Sequence, residues 1–145
     1  MDLLHSKDAL TAQDIAQVEA QIGCELPAQL RAFYLQHNGG HCQTNLFMVE
    51  DEGYKINEFL SLKYGRNTVE STYLGAFLDN PLMPQNLVPF AGDAGGDYFC
   101  FATDDAQAGA IIFFESEYYD EPERALVFLA PSFSAFVAQL IVDPD

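Results

Sequence analysis

The sequence predicts an α+β fold: a mostly antiparallel, multi-stranded sheet with helices packed around it. Two observations carry that prediction. Four short apolar runs, at 87–91, 98–102, 110–114 and 125–129, follow one another in the second half of the chain, bounded by turn residues. Segments with helical periodicity flank them on both sides. The near-continuous hydrophobicity of the runs indicates a sheet covered by helices on at least one face.

Thr11 followed by Asp14 has the spacing of a capping box, so a first helix starts there. Ile15, Val18 and Ile22 line one of its faces, and Gly23 closes it in the left-handed conformation. Pro27 suits the first turn of a second helix, over 27–37, because its missing N–H costs nothing there. Leu30, Phe33, Tyr34 and His37 share a face of that helix, and Asn38, Gly39 and Gly40 end it. Residues 45–49 and 54–62 read as strands joined by the acidic turn Glu50-Asp51-Glu52-Gly53, with Asn57 and Glu58 interrupting the second. Val69, Tyr73 and Phe77 repeat every fourth residue and predict a third helix ending near Asp79-Asn80-Pro81. After the four apolar runs, Ser132 caps a last helix whose stripe is Phe133, Phe136, Val137, Leu140 and Ile141.

At 145 residues the chain has the length of one domain, 1–145, with no Gly/Ser- or Pro-rich linker and no internal repeat. An apolar fraction of 49% allows folding despite the charge. That charge is lopsided: 22 acidic against 6 basic residues give a net −16. Such a field repels nucleic acid and anionic lipid and attracts cationic partners. Lys7, Arg31, Lys55, Lys63, Arg66 and Arg124 are scattered, whereas phosphate-backbone binding needs clustered cations. No run is long and apolar enough to span a membrane, and the first residues lack a signal-peptide pattern. Cys24, Cys42 and Cys100 are odd in number and widely spaced, which fits reduced thiols in a cytoplasmic protein.

Several constellations invite a catalytic or metal reading. His37, His41 and Cys42 are close in sequence, but Gly39 and Gly40 break the helical spacing that chelation on one face requires. Asp93 and Asp97 flank Gly95-Gly96 without the intermediate oxygen ligands of a calcium loop. A turn between two strands, with the glycines supplying positive φ, accounts for them. Asp104-Asp105 reads as another turn. The chain lacks a nucleophile elbow and an activated cysteine, and no lysine follows the paired glycines as in a phosphate loop. The expectation is a non-enzyme without metal or cofactor.

The candidate binding site is the run Glu115-Ser116-Glu117-Tyr118-Tyr119-Asp120-Glu121-Pro122-Glu123. Tyr118 and Tyr119 offer contact area at low entropic cost. Glu115, Glu117, Asp120, Glu121 and Glu123 would steer a basic partner and pair with its Arg and Lys groups. A solvated connecting loop is the plainer alternative. Glu50, Asp51 and Glu52 form a second acidic site with fewer aromatic anchors.

Three phrases of the chain, taken together, resemble a known family. The first comprises Glu19, Ile22, Gly23, Leu26, Pro27, Leu30, Phe33, Tyr34, Asn38, Gly39 and Gly40. The second is Leu87-Val88-Pro89-Phe90-Ala91 with Asp93, Gly95-Gly96-Asp97 and Phe99-Cys100, and the third is Ser132, Phe133, Phe136 and Leu140. In this order, over residues 11–140, they are similar to the SUKH superfamily. The resemblance implies a central sheet wrapped by helices, with the Asp93–Asp97 turn as a fold signature. It also implies a bacterial immunity protein that binds and neutralises a cognate toxin domain such as a nuclease, and the net charge of −16 makes a basic toxin the expected partner. The alternative it leaves open is an acidic, non-catalytic regulatory scaffold that binds a cellular protein, like the family's fungal cell-wall regulators.

Overall fold

The computed structural model describes residues 3–144. In chain order its elements are β1 (Leu3–Leu4), α1 (Ala12–Ile22), α2 (Ala28–Gln36), β2 (His41–Cys42), β3 (Leu46–Val49), β4 (Glu52–Lys55) and β5 (Glu58–Phe59). They continue with α3 (Val69–Thr72), β6 (Leu87–Gly92), β7 (Tyr98–Ala102), β8 (Ile111–Phe114), α4 (Pro122–Ala125), β9 (Leu126–Ala130) and α5 (Phe133–Ala138). Five strands form an antiparallel sheet in the order β5-β6-β7-β8-β9, and β1–β2 and β3–β4 are separate antiparallel pairs. The α+β prediction holds.

Both faces of the sheet are covered, and strand alternation decides what each face meets. On one side Phe99 and Phe113, paired across β7 and β8, reach Phe136 of α5 and Tyr54 of β4, with ring centroids 5.8 and 5.0 Å apart. α2 joins this layer through Phe33, 5.2 Å from Phe133. On the other side Tyr98 and Phe114 both pack on Phe77, at 5.7 and 5.8 Å. A bulge between Pro89 and Ala91 frees Phe90 from pairing and turns its buried ring onto Phe133 and Phe136.

Local signals in the sequence are met where they are self-contained. Thr11 and Asp14 form the capping box, and Gly23 closes α1 at φ 80°. Ile15, Val18 and Ile22 are buried, as are Leu30 and Tyr34 of α2, for which Pro27 serves as the N-cap. Ser132 caps α5 by accepting from the Ala135 N–H. Cys100 is buried in β7, where burial pushes its thiol well above the usual range.

Four expectations change. The acidic turn is tighter than expected: Glu50 and Asp51 alone make it, while Glu52 already pairs with Val49 in β4. The predicted strand at 54–62 splits, because Ile56 and Asn57 bond outside the ladder, to Asn45 and Gly92, and only Glu58–Phe59 joins the main sheet. The third helix carries the predicted Val69, Tyr73, Phe77 stripe, but its second part, Tyr73–Leu78, is π-helical, and the Asp79 N–H donates five residues back to Leu74. The last helix ends at Ala138, and Ile141 leaves its stripe because its backbone exchanges two hydrogen bonds with Leu46, at 3.0 and 2.9 Å.

Candidate partner-binding surface

The acidic run begins where β8 ends. Phe114 is buried, Glu115 is half-buried, and Ser116–Tyr118 make one 3-10 turn. Asp97 fixes the start of this turn: its Oδ1 accepts from both the N–H and the Oγ–H of Ser116, each at 2.9 Å. Asp97 is itself positioned by Asp93, whose Oδ1 accepts from the N–H groups of Gly95 and Asp97 at 2.9 and 2.8 Å. Gly96 takes the positive φ of this turn, at 94°, and Gly95 does not. The Asp93 and Asp97 carboxylates are therefore committed to organising the loop.

Pro122 then opens the short helix α4, and the Glu121 carbonyl accepts from the N–H groups of Arg124 and Ala125, each at 2.9 Å. This brings the Arg124 guanidinium to 3.6 Å from the centre of the Tyr118 ring. Tyr118 is thus half-buried beneath an internal cation, while Tyr119 beside it is 44% exposed. Glu117, Asp120, Glu121 and Glu123 are exposed. The loop reading is replaced by two consecutive single turns anchored at both ends.

The structure brings part of the second acidic segment to the same place. The Glu115 carboxyl is held above its usual range, first by burial and then by repulsion from Asp97, Glu117 and Glu52, partly offset by Arg124. Burial raises the Tyr54 hydroxyl, and Glu115 and Glu52 add to the effect. Glu52 of β4 and the run after β8 therefore share one electrostatic surface. Glu50 and Asp51 lie at the exposed hairpin tip.

Beside the carboxylates lies an apolar patch that sequence reasoning missed. Leu82, Met83, Tyr119, Pro122 and Leu126 line a shallow cavity of about 150 Å³ whose floor includes Phe114. Leu82 is 60% exposed, and Phe128, two residues beyond Leu126 on the same face of β9, is 55% exposed. β9 is an edge of the main sheet, with no strand on its outer side among the described residues. The Glu115 N–H donates inward to the Ala125 carbonyl at 2.8 Å, so antiparallel alternation points the Leu126 carbonyl and the Phe128 N–H and C=O outward. The opposite edge is closed: Gly40 and Phe59 exchange backbone hydrogen bonds at 3.0 and 2.8 Å.

No three metal-ligating side chains converge among the described residues, and none of their helices is long and apolar enough to cross a membrane. All three cysteines are free.

The paired N-terminal helices, the Asn38-Gly39-Gly40 corner and the helix-covered antiparallel sheet together define a SUKH-type fold. The sequence profile of the SMI1 / KNR4 family (SUKH-1) matches residues 9–139, and the chain belongs to that family. It is also similar to the SPbeta prophage-derived uncharacterized protein YokK of Bacillus subtilis (strain 168). The two are 24% identical over 156 aligned residues, which take in 92% of this chain and 76% of YokK.

Proposed function

We propose that this chain is an immunity protein that neutralises a cognate, basic toxin domain by covering it, without catalysis, in the cytoplasm. The observation that carries the proposal is the patch of Tyr119, Leu126 and Phe128 at the open edge of the sheet, rimmed by Glu115, Glu117, Asp120, Glu121 and Glu123, with Glu52 adding to the acidic field from the β4 side of the sheet. An apolar centre with a charged rim is the composition of a protein interface, and here every rim charge of the run is negative. A nuclease that grips phosphates is basic on that surface, and a net charge of −16 would speed its capture in a salt-sensitive way. Glu50 and Asp51 extend the acidic field toward the hairpin tip. Membership of the SUKH-1 family and the prophage origin in YokK's name support a role in toxin defence. Commitment of Asp93 and Asp97 to backbone donors supports binding over catalysis.

The test is co-purification with the product of the gene immediately upstream, at low and high salt. A stoichiometric complex that loosens with salt and suppresses toxin activity is expected. A toxin that neither binds nor is inhibited overturns the proposal, and a complex with a housekeeping protein in its place would favour the regulatory scaffold.

A further inference from the structure

Although acids outnumber bases in this chain, its uncommitted cations meet in one place. Arg31 pairs with Glu19 at 2.7 Å, Lys55 with Asp143 at 2.8 Å and Lys63 with Asp14 at 2.7 Å, and Arg124 lies on Tyr118. Lys7 and Arg66 are the two that remain with neither an ion pair nor a ring partner among the described residues, and both line the same cavity of about 200 Å³. His5 and His41 stand on its wall as well, their rings edge to face at 5.6 Å.

The fold builds this cavity deliberately from distant segments. β1 pairs with β2, placing Leu4 opposite His41. The chain is then pinned to the Asn38–Gly40 corner by the Ser6 hydroxyl on the Gly39 carbonyl (2.7 Å) and the Lys7 N–H on the Asn38 carbonyl (2.9 Å). Gly40 allows that approach: a Cβ there would stand 2.5 Å from the Leu4 carbonyl oxygen, at a φ of 119°. From the other side the Ser61 hydroxyl donates to the Tyr64 carbonyl at 2.6 Å and closes the loop that carries Arg66 and Asn67. The Lys7 stem rests near Gly65 of that loop. Glu58 also faces the cavity, with the Asn67 amide 3.5 Å from its Oε1. Two cations and one carboxylate leave the wall at +1 before either imidazole is protonated.

We infer that this cavity binds a small phosphomonoester or phosphate dianion. Arg66 supplies planar donors, Lys7 a point charge, and Asn67 and the imidazoles neutral donors that suit phosphate oxygens. The volume admits one phosphate group with a short appendage. The molecule's overall negative field disfavours a polyanion, whereas at physiological salt the distant carboxylates are screened beyond about 8 Å and the local cations decide.

The experiment follows the His5 and His41 ring proton resonances during titration with inorganic phosphate and, separately, glycerol phosphate, at constant ionic strength. Saturable shifts at these two histidines, and not at His37, are expected. Lys7→Met, which keeps the stem, and Arg66→Gln should each weaken the midpoint at least about tenfold, as loss of a charge-assisted contact to phosphate requires. Lys55→Met, at a separate ion pair, should leave it unchanged. Tighter binding of glycerol phosphate would identify a phosphorylated metabolite as the ligand class, and tighter binding of the free ion would identify phosphate. Absence of a saturable shift with both anions, or an unchanged midpoint in the Lys7→Met/Arg66→Gln double variant, overturns the inference.

Discussion

Asp97 holds Ser116 twice through one oxygen, with the Ser116 N–H and hydroxyl both donating to Oδ1 at 2.9 Å. The bond joins the β6–β7 turn to the first residues of the acidic run, so the orientation of that run depends on a residue outside it. Asp97→Ala should cost about 1.5–3 kcal/mol, the range for hydrogen bonds to a charged acceptor. It should also speed amide exchange at Ser116 and Tyr118 without changing exchange in β7 and β8. Unchanged exchange at Ser116 would show that the 3-10 turn holds itself.

The raised Glu115 carboxyl gives a pH dependence of definite sign. An acid that binds its proton more tightly in the folded state contributes stability that is fully present below its unfolded value. That contribution is lost as pH rises through the folded value. For Glu115 the window opens near the ordinary 4.5 and extends upward. Glu115→Gln should therefore flatten the fall in melting temperature between about pH 4 and pH 7 and melt above wild type at neutral pH. Parallel melting curves for the two proteins across that window would remove the repulsion argued for Glu52, Asp97 and Glu117.

What could be read in the sequence was what neighbouring residues decide among themselves. Thr11 with Asp14, the Ile15, Val18, Ile22 stripe and the Ser132 cap need only helical spacing, and each is present. The surface depended on contacts the sequence does not encode locally. Tyr118 and Tyr119 are indistinguishable as adjacent letters, and what separates them is the Arg124 guanidinium over one ring. Residues 125–129 read as one apolar run because hydrophobicity does not say which strand lies at an edge. Pairing with β8 alone leaves Phe128 in solvent. Glu52 and Glu115 share a field only because β4 folds back over the sheet, with Tyr54 on Phe113. Ile141 fits the helical stripe by spacing, and a backbone partner at Leu46 overrides it.

Asn38 is a second joint of the fold. Its amide donates to the carbonyls of Leu62 and Asp8, at 3.0 and 2.8 Å, and its Oδ1 accepts from the Leu62 N–H at 2.7 Å. Leu62 is fully buried, so Asn38→Ala strands two of its backbone groups at roughly 1–3 kcal/mol each. Asn38→Asp should be worse, because a carboxylate cannot donate to either carbonyl and brings a charge into the interior. Urea denaturation ranks the three proteins, and an aspartate variant as stable as wild type would contradict this geometry.

Binding and packing should separate cleanly at two phenylalanines. Phe136 is fully buried, 5.1 Å from Phe47 and within 6 Å of Phe90 and Phe99, so Phe136→Ala should cost about 3–5 kcal/mol. Phe128 is more than half exposed, and Phe128→Ala should change stability by only about 0.5 kcal/mol. Against the toxin the order reverses: Phe128→Ala and Tyr119→Ala should each weaken binding more than about tenfold, as central aromatic anchors do. Glu117→Lys should mainly slow association, with the deficit shrinking at high salt. Tyr118→Ala should affect both properties, because its ring also seats Arg124. Titration calorimetry with purified toxin, paired with thermal melts, reads all five variants. If Phe128→Ala and Tyr119→Ala bind like wild type while the complex itself forms, the partner docks elsewhere and the open edge of the sheet has another purpose.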